Sequence, residues 1–234
     1  MAHFLLLHGA CHGGWCWNQV AAILQSEGHQ TTAPDLPCED VAAGLSQSAD
    51  AAVAALPKPS ATGTGVNLVV VGHSLGALVV PLVAQRVPVR RMVMLAGIVG
   101  APQASLQSLA DQDADRDLPL GDADLEFDDE GRFRFSRAGA QRALYHDCSP
   151  AVAHAATAQL RFQRSMWSEI ADFDTWPDVE RMSITCADDR VVNPDWSNRI
   201  ARERLGVEPL QLPGGHSPFL ARPAQLATVL ASDL

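Results

Sequence analysis

Nothing in these 234 residues approaches the ~20-residue apolar run that a membrane-spanning helix needs; the longest uninterrupted apolar stretches are strand-sized. The opening residues, Met1-Ala-His-Phe-Leu-Leu-Leu-His-Gly9, lack a basic leader region, and their apolar run is too short for a signal peptide. We therefore expect a cytoplasmic protein with no membrane partner. Basic residues are also scarce, 17 against 27 acidic ones, for a formal net charge of −10. A surface that binds phosphates needs a basic patch, so no nucleic-acid partner is expected. Much of the acid lies between Asp111 and Glu130, so the charge describes that stretch rather than a substrate.

Cysteines number five, an odd count at irregular spacing, which excludes a disulfide framework as the basis of the fold. Cys11 and Cys16 bracket His12, yet the spacing matches no common zinc pattern and a second ligand pair is missing. No metal is expected, and small buried thiols are. The acids alternating from Asp111 to Asp117 imitate a calcium loop, but Arg116 and Asp122 stand where that loop needs glycine and glutamate. A solvated loop is the expectation there.

What is present is a large apolar fraction, 47% with only 19% charged, the balance of one medium-sized domain with a buried core. Apolar runs at Phe4–Leu7, Asn67–Val71, Val89–Leu95, Arg181–Cys186 and Val207–Leu212, with a weaker one at Thr31–Ala33, read as strands. Helical spacing recurs at Asn18–Gln25, Ser48–Leu56, Ala77–Gln85 and Ala224–Leu230. Pro57-Lys58-Pro59 and a polar Ser/Thr/Gly loop separate the second helix from the next strand, and Pro81 falls early in the third helix. Strands alternating with helices imply an α/β chain with a mostly parallel six-stranded sheet flanked by helices. Residues 101–176 break that rhythm between two core strands, and an excursion of this length is expected to be an inserted cap. Within it, alternation around Gly131 predicts a hairpin, followed by helices over Arg137–His146 and Pro150–Trp167. The core is then 1–100 with 177–234.

Gly72-His73-Ser74-Leu75-Gly76 follows the strongest strand signal and opens a helix, the context of a strained elbow that exposes a nucleophilic serine. A serine hydroxyl needs a base within hydrogen-bond reach. His216, in the Gly-rich loop after the last strand, is the best placed of the eight histidines; His73 should point away, and His146 and His154 lie in the cap. A carboxylate must then fix the imidazole tautomer. No acid follows Val89–Leu95, whereas both Asp188 and Asp189 follow Arg181–Cys186, and position alone does not separate them. Backbone N–H groups of Leu75 and Ala10 are the expected oxyanion donors.

Four segments together make the chain resemble a known family: His8-Gly-Ala-Cys-His-Gly-Gly-Trp-Cys-Trp17, Gly72-His-Ser-Leu-Gly76, Cys186-Ala-Asp-Asp-Arg190, and Gly215-His216 with Arg222-Pro223. They resemble the α/β-hydrolase branch of plant methyl-salicylate and methyl-jasmonate esterases, hydroxynitrile lyases and related bacterial esterases. The resemblance implies the α/β-hydrolase fold and, through the family spacing Cys-x-x-Asp, makes Asp189 the acid. Its lyase members carry threonine and lysine where this chain has Ala10 and Ser217, which favours ester hydrolysis over carbon–carbon cleavage. A Ser74-His216-Asp189 hydrolase acting on a small or medium apolar or aromatic ester, methyl esters included, is thus expected, with no cofactor. Trp15, Phe162, Met166, Trp167 and Ser217 are the expected pocket residues. A lyase or other carbon–carbon hydrolase on this fold, and a ligand receptor with little turnover, are the rival readings; monomer and homodimer both stay open.

Overall fold

A computed structural model describes residues 1–57 and 67–232. Lys58-Pro59 of the proline breaker and the polar loop after it lie outside the described residues. The strands are β1 (His3–Leu7), β2 (Gln30–Thr32), β3 (Leu68–His73), β4 (Arg91–Leu95), β5 (Leu125–Phe127), β6 (Phe133–Phe135), β7 (Glu180–Cys186) and β8 (Leu210–Leu212). Six of them form one parallel sheet in the order β2-β1-β3-β4-β7-β8; β5 and β6 pair separately as an antiparallel hairpin. Gly131, in the left-handed region at φ 73°, turns that hairpin.

β1, β3 and β4 are buried along their whole length, which is why they read as continuous apolar runs rather than alternating ones. Their side chains still separate by face. Leu5, Leu7, Val70, Met92 and Met94 pack with α2 (Leu45–Ala54), α3 (Val80–Arg86) and α6 (Pro194–Ile200). Phe4, Leu6, Val69, Val71, Val93 and Leu95 pack on the other face with α1 (Asn18–Ser26) and α8 (Pro223–Ala231). The remaining helices are α4 (Arg137–Gly139), α5 (Pro150–Thr157) and α7 (Pro218–Ala221). Because the sheet is parallel, the loops after β1, β3, β4, β7 and β8 leave from one edge. The order reverses between β1 and β3, and a crevice opens outside the carboxyl ends of strands at such a switch point.

Two helical expectations needed correction, and one helix was not anticipated. The stretch expected as one helix from Ala77 is a tight turn, Ser74–Leu78, followed by α3. That division places Pro81 in the first turn of α3, where a missing N–H costs nothing. The helix expected to reach Trp167 stops at Thr157; Gln163 instead exchanges both backbone bonds with Phe133 and runs beside β6. Sequence reading also missed α6, which opens on Pro194 and continues in a wider turn to Leu205. Pro194 is a helix start, with the Asn193 side chain accepting the Asp195 N–H at 3.0 Å.

Candidate active site

The turn from β3 into the following helix is crowded. A Cβ on Gly72 would sit 2.5 Å from Val80 and 2.6 Å from the Gly76 carbonyl, and one on Gly76 would collide with the His8 carbonyl. Only glycine fits either position. Ser74 between them sits at φ 50°, a conformation that costs a non-glycine residue roughly 1–3 kcal/mol. Its carbonyl accepts the Ile98 N–H at 3.0 Å, so the loop after β4 braces the elbow.

His216 lies in the loop between β8 and α7, and Asp189 in the turn after β7. Both are buried, and His216 Nδ1 meets Asp189 Oδ2 at 2.7 Å. The other carboxylate oxygen accepts two backbone N–H groups, Val191 at 2.8 Å and Val192 at 3.0 Å. With the carboxylate facing Nδ1, that nitrogen carries the proton and Nε2 keeps a free lone pair. Asp188 turns elsewhere: its carboxylate accepts the Gly214 N–H at 3.0 Å. Of the two aspartates left open by position, Asp189 is the one in contact with the imidazole.

Ser74 and His216 line a single cavity of about 500 Å³ with Ala10 and Leu75 beside them. Its remaining wall is largely apolar and comes mostly from the excursion between β4 and β7, including Leu118, Leu125, Phe133, Leu144, Met166 and Trp167. Of the expected pocket residues, Met166 and Trp167 line this cavity. Three expected pocket residues lie outside the cavity. Trp15 stacks on the far side of His12, at 5.6 Å between ring centroids. Phe162 is covered by the Arg132 and Arg134 guanidiniums. Ser217 is fully buried, its hydroxyl unpartnered among the described residues.

Histidines that the sequence reading set aside shape the loop after β1. Leu36 N–H donates to His8 Nε2 at 2.9 Å, so His8 Nδ1 carries the proton and donates to the Gly9 carbonyl at 2.8 Å. His12 Nδ1 donates to the Ala10 carbonyl, and Tyr145 O–H donates to His12 Nε2, each at 2.8 Å. A trans peptide points its C=O and N–H in opposite directions, so fixing the Gly9 carbonyl also fixes the Ala10 N–H. Burial lowers the His8 pKa to about 4 and that of His12 to about 3, and both stay neutral. His73, expected to point away, has no hydrogen-bond partner at Nδ1 among the described residues and donates from Nε2 to the His216 carbonyl at 2.8 Å. It forms the floor under the His216 ring, 4.7 Å away.

The loop expected to be solvated is exposed at Asp111, Gln112, Ala114, Asp115 and Asp117, but two of its side chains turn inward. Asp113 is buried and accepts from Trp196 Nε1 at 3.1 Å and Arg204 at 2.7 Å, while Arg116 is buried against Asp117 and over the Trp167 ring. All five cysteines are free thiols; four are buried and Cys148 is partly exposed. Among the described residues no cluster of metal-ligating side chains occurs, and no helix is long and apolar enough to cross a membrane.

A parallel sheet with a serine on the elbow after its central strand, and a histidine–aspartate pair beside it, is the arrangement of the esterase-type hydrolases. Comparison with known proteins gives the family. A model of the alpha/beta hydrolase family matches residues 4–229, and the chain belongs to that family. Methyl jasmonate esterase 1 of Vitis vinifera is 26% identical, over 97% of this chain and 95% of that one. Salicylic acid-binding protein 2 of Nicotiana tabacum is 25% identical over the same shares. Among solved structures, polyneuridine aldehyde esterase superposes with a TM-score of 0.79 at 18% identity, covering 98% of both chains. A pyrethroid hydrolase from Sphingobium faniae gives 0.74 at 19% identity, covering 98% of this chain and 96% of that one. Those two likenesses are of fold. The chain is a hydrolase of the carboxylesterase type.

Proposed function

We propose that the chain hydrolyses an uncharged carboxylic ester through Ser74, His216 and Asp189 by way of an acyl-enzyme. The observation that carries this reading is the 2.7 Å His216–Asp189 contact beside a serine held on a strained elbow, with serine and histidine opening into one cavity. His216 Nε2 takes the proton from Ser74 as its oxygen attacks the ester carbonyl, and the imidazolium that forms is stabilised by Asp189. The Ala10 and Leu75 N–H groups receive the developing oxyanion, a contribution of about 3–4 kcal/mol per donor to the barrier. The alcohol leaves with the proton from His216. Water then repeats the sequence on the acyl-enzyme and releases the acid.

The cavity supports an apolar substrate of small to medium size, since its lining offers almost no charge to bind an ionic group and ligand sites commonly span roughly 300–1,000 Å³. The grapevine relative is named for methyl jasmonate, so the methyl ester of an apolar acid is the substrate form we favour. The excursion over the cavity serves as the cap. Hydrolysis of short-chain p-nitrophenyl esters by wild type and Ser74→Ala tests the reading. Turnover that disappears with the hydroxyl is expected; wild type with no Ser74-dependent turnover on any short ester would instead describe a receptor.

A further inference from the structure

The loop that carries His216 is gripped from outside the sheet domain. Just after the helical turn that begins with α4, the cap presents His146-Asp147 to the Pro213–Ser217 loop. Asp147 Oδ2 accepts the Gly215 N–H at 2.8 Å and pairs with the Arg222 guanidinium through the same oxygen. Its side chain is only 12% exposed, and Oδ1 is buried with no hydrogen-bond partner among the described residues. His146 Nε2 donates to the Asp188 carbonyl at 3.0 Å. Asp188 in turn exchanges two bonds with Gly214: its N–H donates to the Gly214 carbonyl, and its carboxylate accepts the Gly214 N–H, each at 3.0 Å. The residue preceding Asp189 and the two preceding His216 are therefore tied to each other and to the cap.

The two glycines report how closely the clamp presses. A Cβ on Gly215 would collide with His146 Nε2, and one on Gly214 would collide with both Arg222 and Asp147. Gly214 also needs its φ of 97°. Burial disfavours the charged form of Asp147, but the Gly215 N–H and Arg222 outweigh it and hold its pKa below the usual carboxylate value. A charged, half-satisfied carboxylate is an expensive way to fill this position unless its geometry matters.

We propose that Asp147, assisted by His146, is a positioning residue that sets the His216 imidazole against Asp189, so that the cap is part of the proton-transfer machinery as well as a cover. The inference rests on the triad reading, and the experiment separates the two. Full-length wild type, Asp147→Asn and Asp147→Ala are compared in fluorophosphonate labelling of Ser74, in kcat and KM for a p-nitrophenyl ester, and in the downfield proton NMR signal of His216 Nδ1–H. Asp147→Ala, folded by circular dichroism, is expected to lose about tenfold to a hundredfold in kcat with KM within about twofold, and to shift or broaden the Nδ1 proton. Asp147→Asn keeps an acceptor for Gly215 and is expected to recover most of that loss. Should Asp147→Ala not fold, Arg222→Gln leaves the acceptor but removes its counter-charge, and a severalfold fall in kcat at constant KM is expected. Unchanged kcat with an unmoved proton signal in these variants would overturn the proposal. Wild type that neither labels at Ser74 nor shows the downfield proton would overturn the triad reading itself.

Discussion

Adjacent aspartates with the same charge take different directions in space, Asp188 exposed and Asp189 buried. Asp189 offers one oxygen to His216 and the other to two backbone N–H groups, whereas Asp188 spends its carboxylate on Gly214. Asp189→Asn presents the wrong hydrogen-bonding partner to Nδ1–H and is expected to lower kcat about 10³- to 10⁴-fold. Asp188→Asn still offers an oxygen to Gly214 and should stay far closer to wild type; kcat values for the pair give the answer, and equal losses would contradict the assignment. Residue patterns alone did not reveal this choice, since both positions follow β7; only the family spacing distinguished them. The histidines were less legible still. His12 looked like a failed metal ligand, and its partner Tyr145 lies in a different part of the chain, so no local signal could link them. Their neutrality has a consequence for acid stability. His8 and His12 have folded-state pKa values of about 4 and about 3, below the ordinary 6.5, so the unfolded chain binds protons first as pH falls. The stability they permit is complete above about 6.5 and is lost as pH drops toward 4 and then 3. Urea midpoints across that range should fall steadily, and His12→Phe should flatten the slope.

Among the elements, strands were the easiest to read and helix boundaries the hardest. β1, β3 and β4 were the most legible because burial on both faces leaves an uninterrupted apolar run, whereas the edge strands β2 and β8 are partly exposed and gave shorter or weaker signals. Pro81 and Pro194 each sit in the first turn of a helix, where proline is favoured, and the helix that opens on Pro194 was not anticipated. The glycine-flanked turn that carries Ser74 was legible because its steric demands are local. Gly76→Ala would push a methyl into the His8 carbonyl. Strain of this kind typically costs about 1–3 kcal/mol, and here it also displaces the serine. Thermal unfolding should show that loss together with a disproportionate fall in kcat; a stable and fully active variant would mean that the β1 and β3 loops can move apart.

At the scale of the molecule, the excursion between β4 and β7, which we propose as the cap, is tied to the sheet domain by contacts that include two buried or half-buried ion pairs, and neither could be read from sequence because each joins residues far apart along the chain. One is the Asp147–Arg222 pair at the base loop. The other is Asp113, buried in the acidic stretch and bonded to Arg204 and Trp196 of the helix after β7. Asp113→Ala strands the Arg204 guanidinium and the indole N–H, a change that usually costs about 3–5 kcal/mol for a buried pair. A chemical-denaturation midpoint should report it, and a loss below about 1 kcal/mol would show that the pair is no more than a surface contact. We propose that the chemistry takes place in the apolar cavity between this excursion and Ser74. Identification of the acyl-enzyme tests that placement most directly. After brief reaction with p-nitrophenyl acetate, acid quench and digestion, mass spectrometry should find the acetyl group on the peptide carrying Ser74, and not in Ser74→Ala. Continued ester turnover with no acyl group on Ser74 would contradict the account.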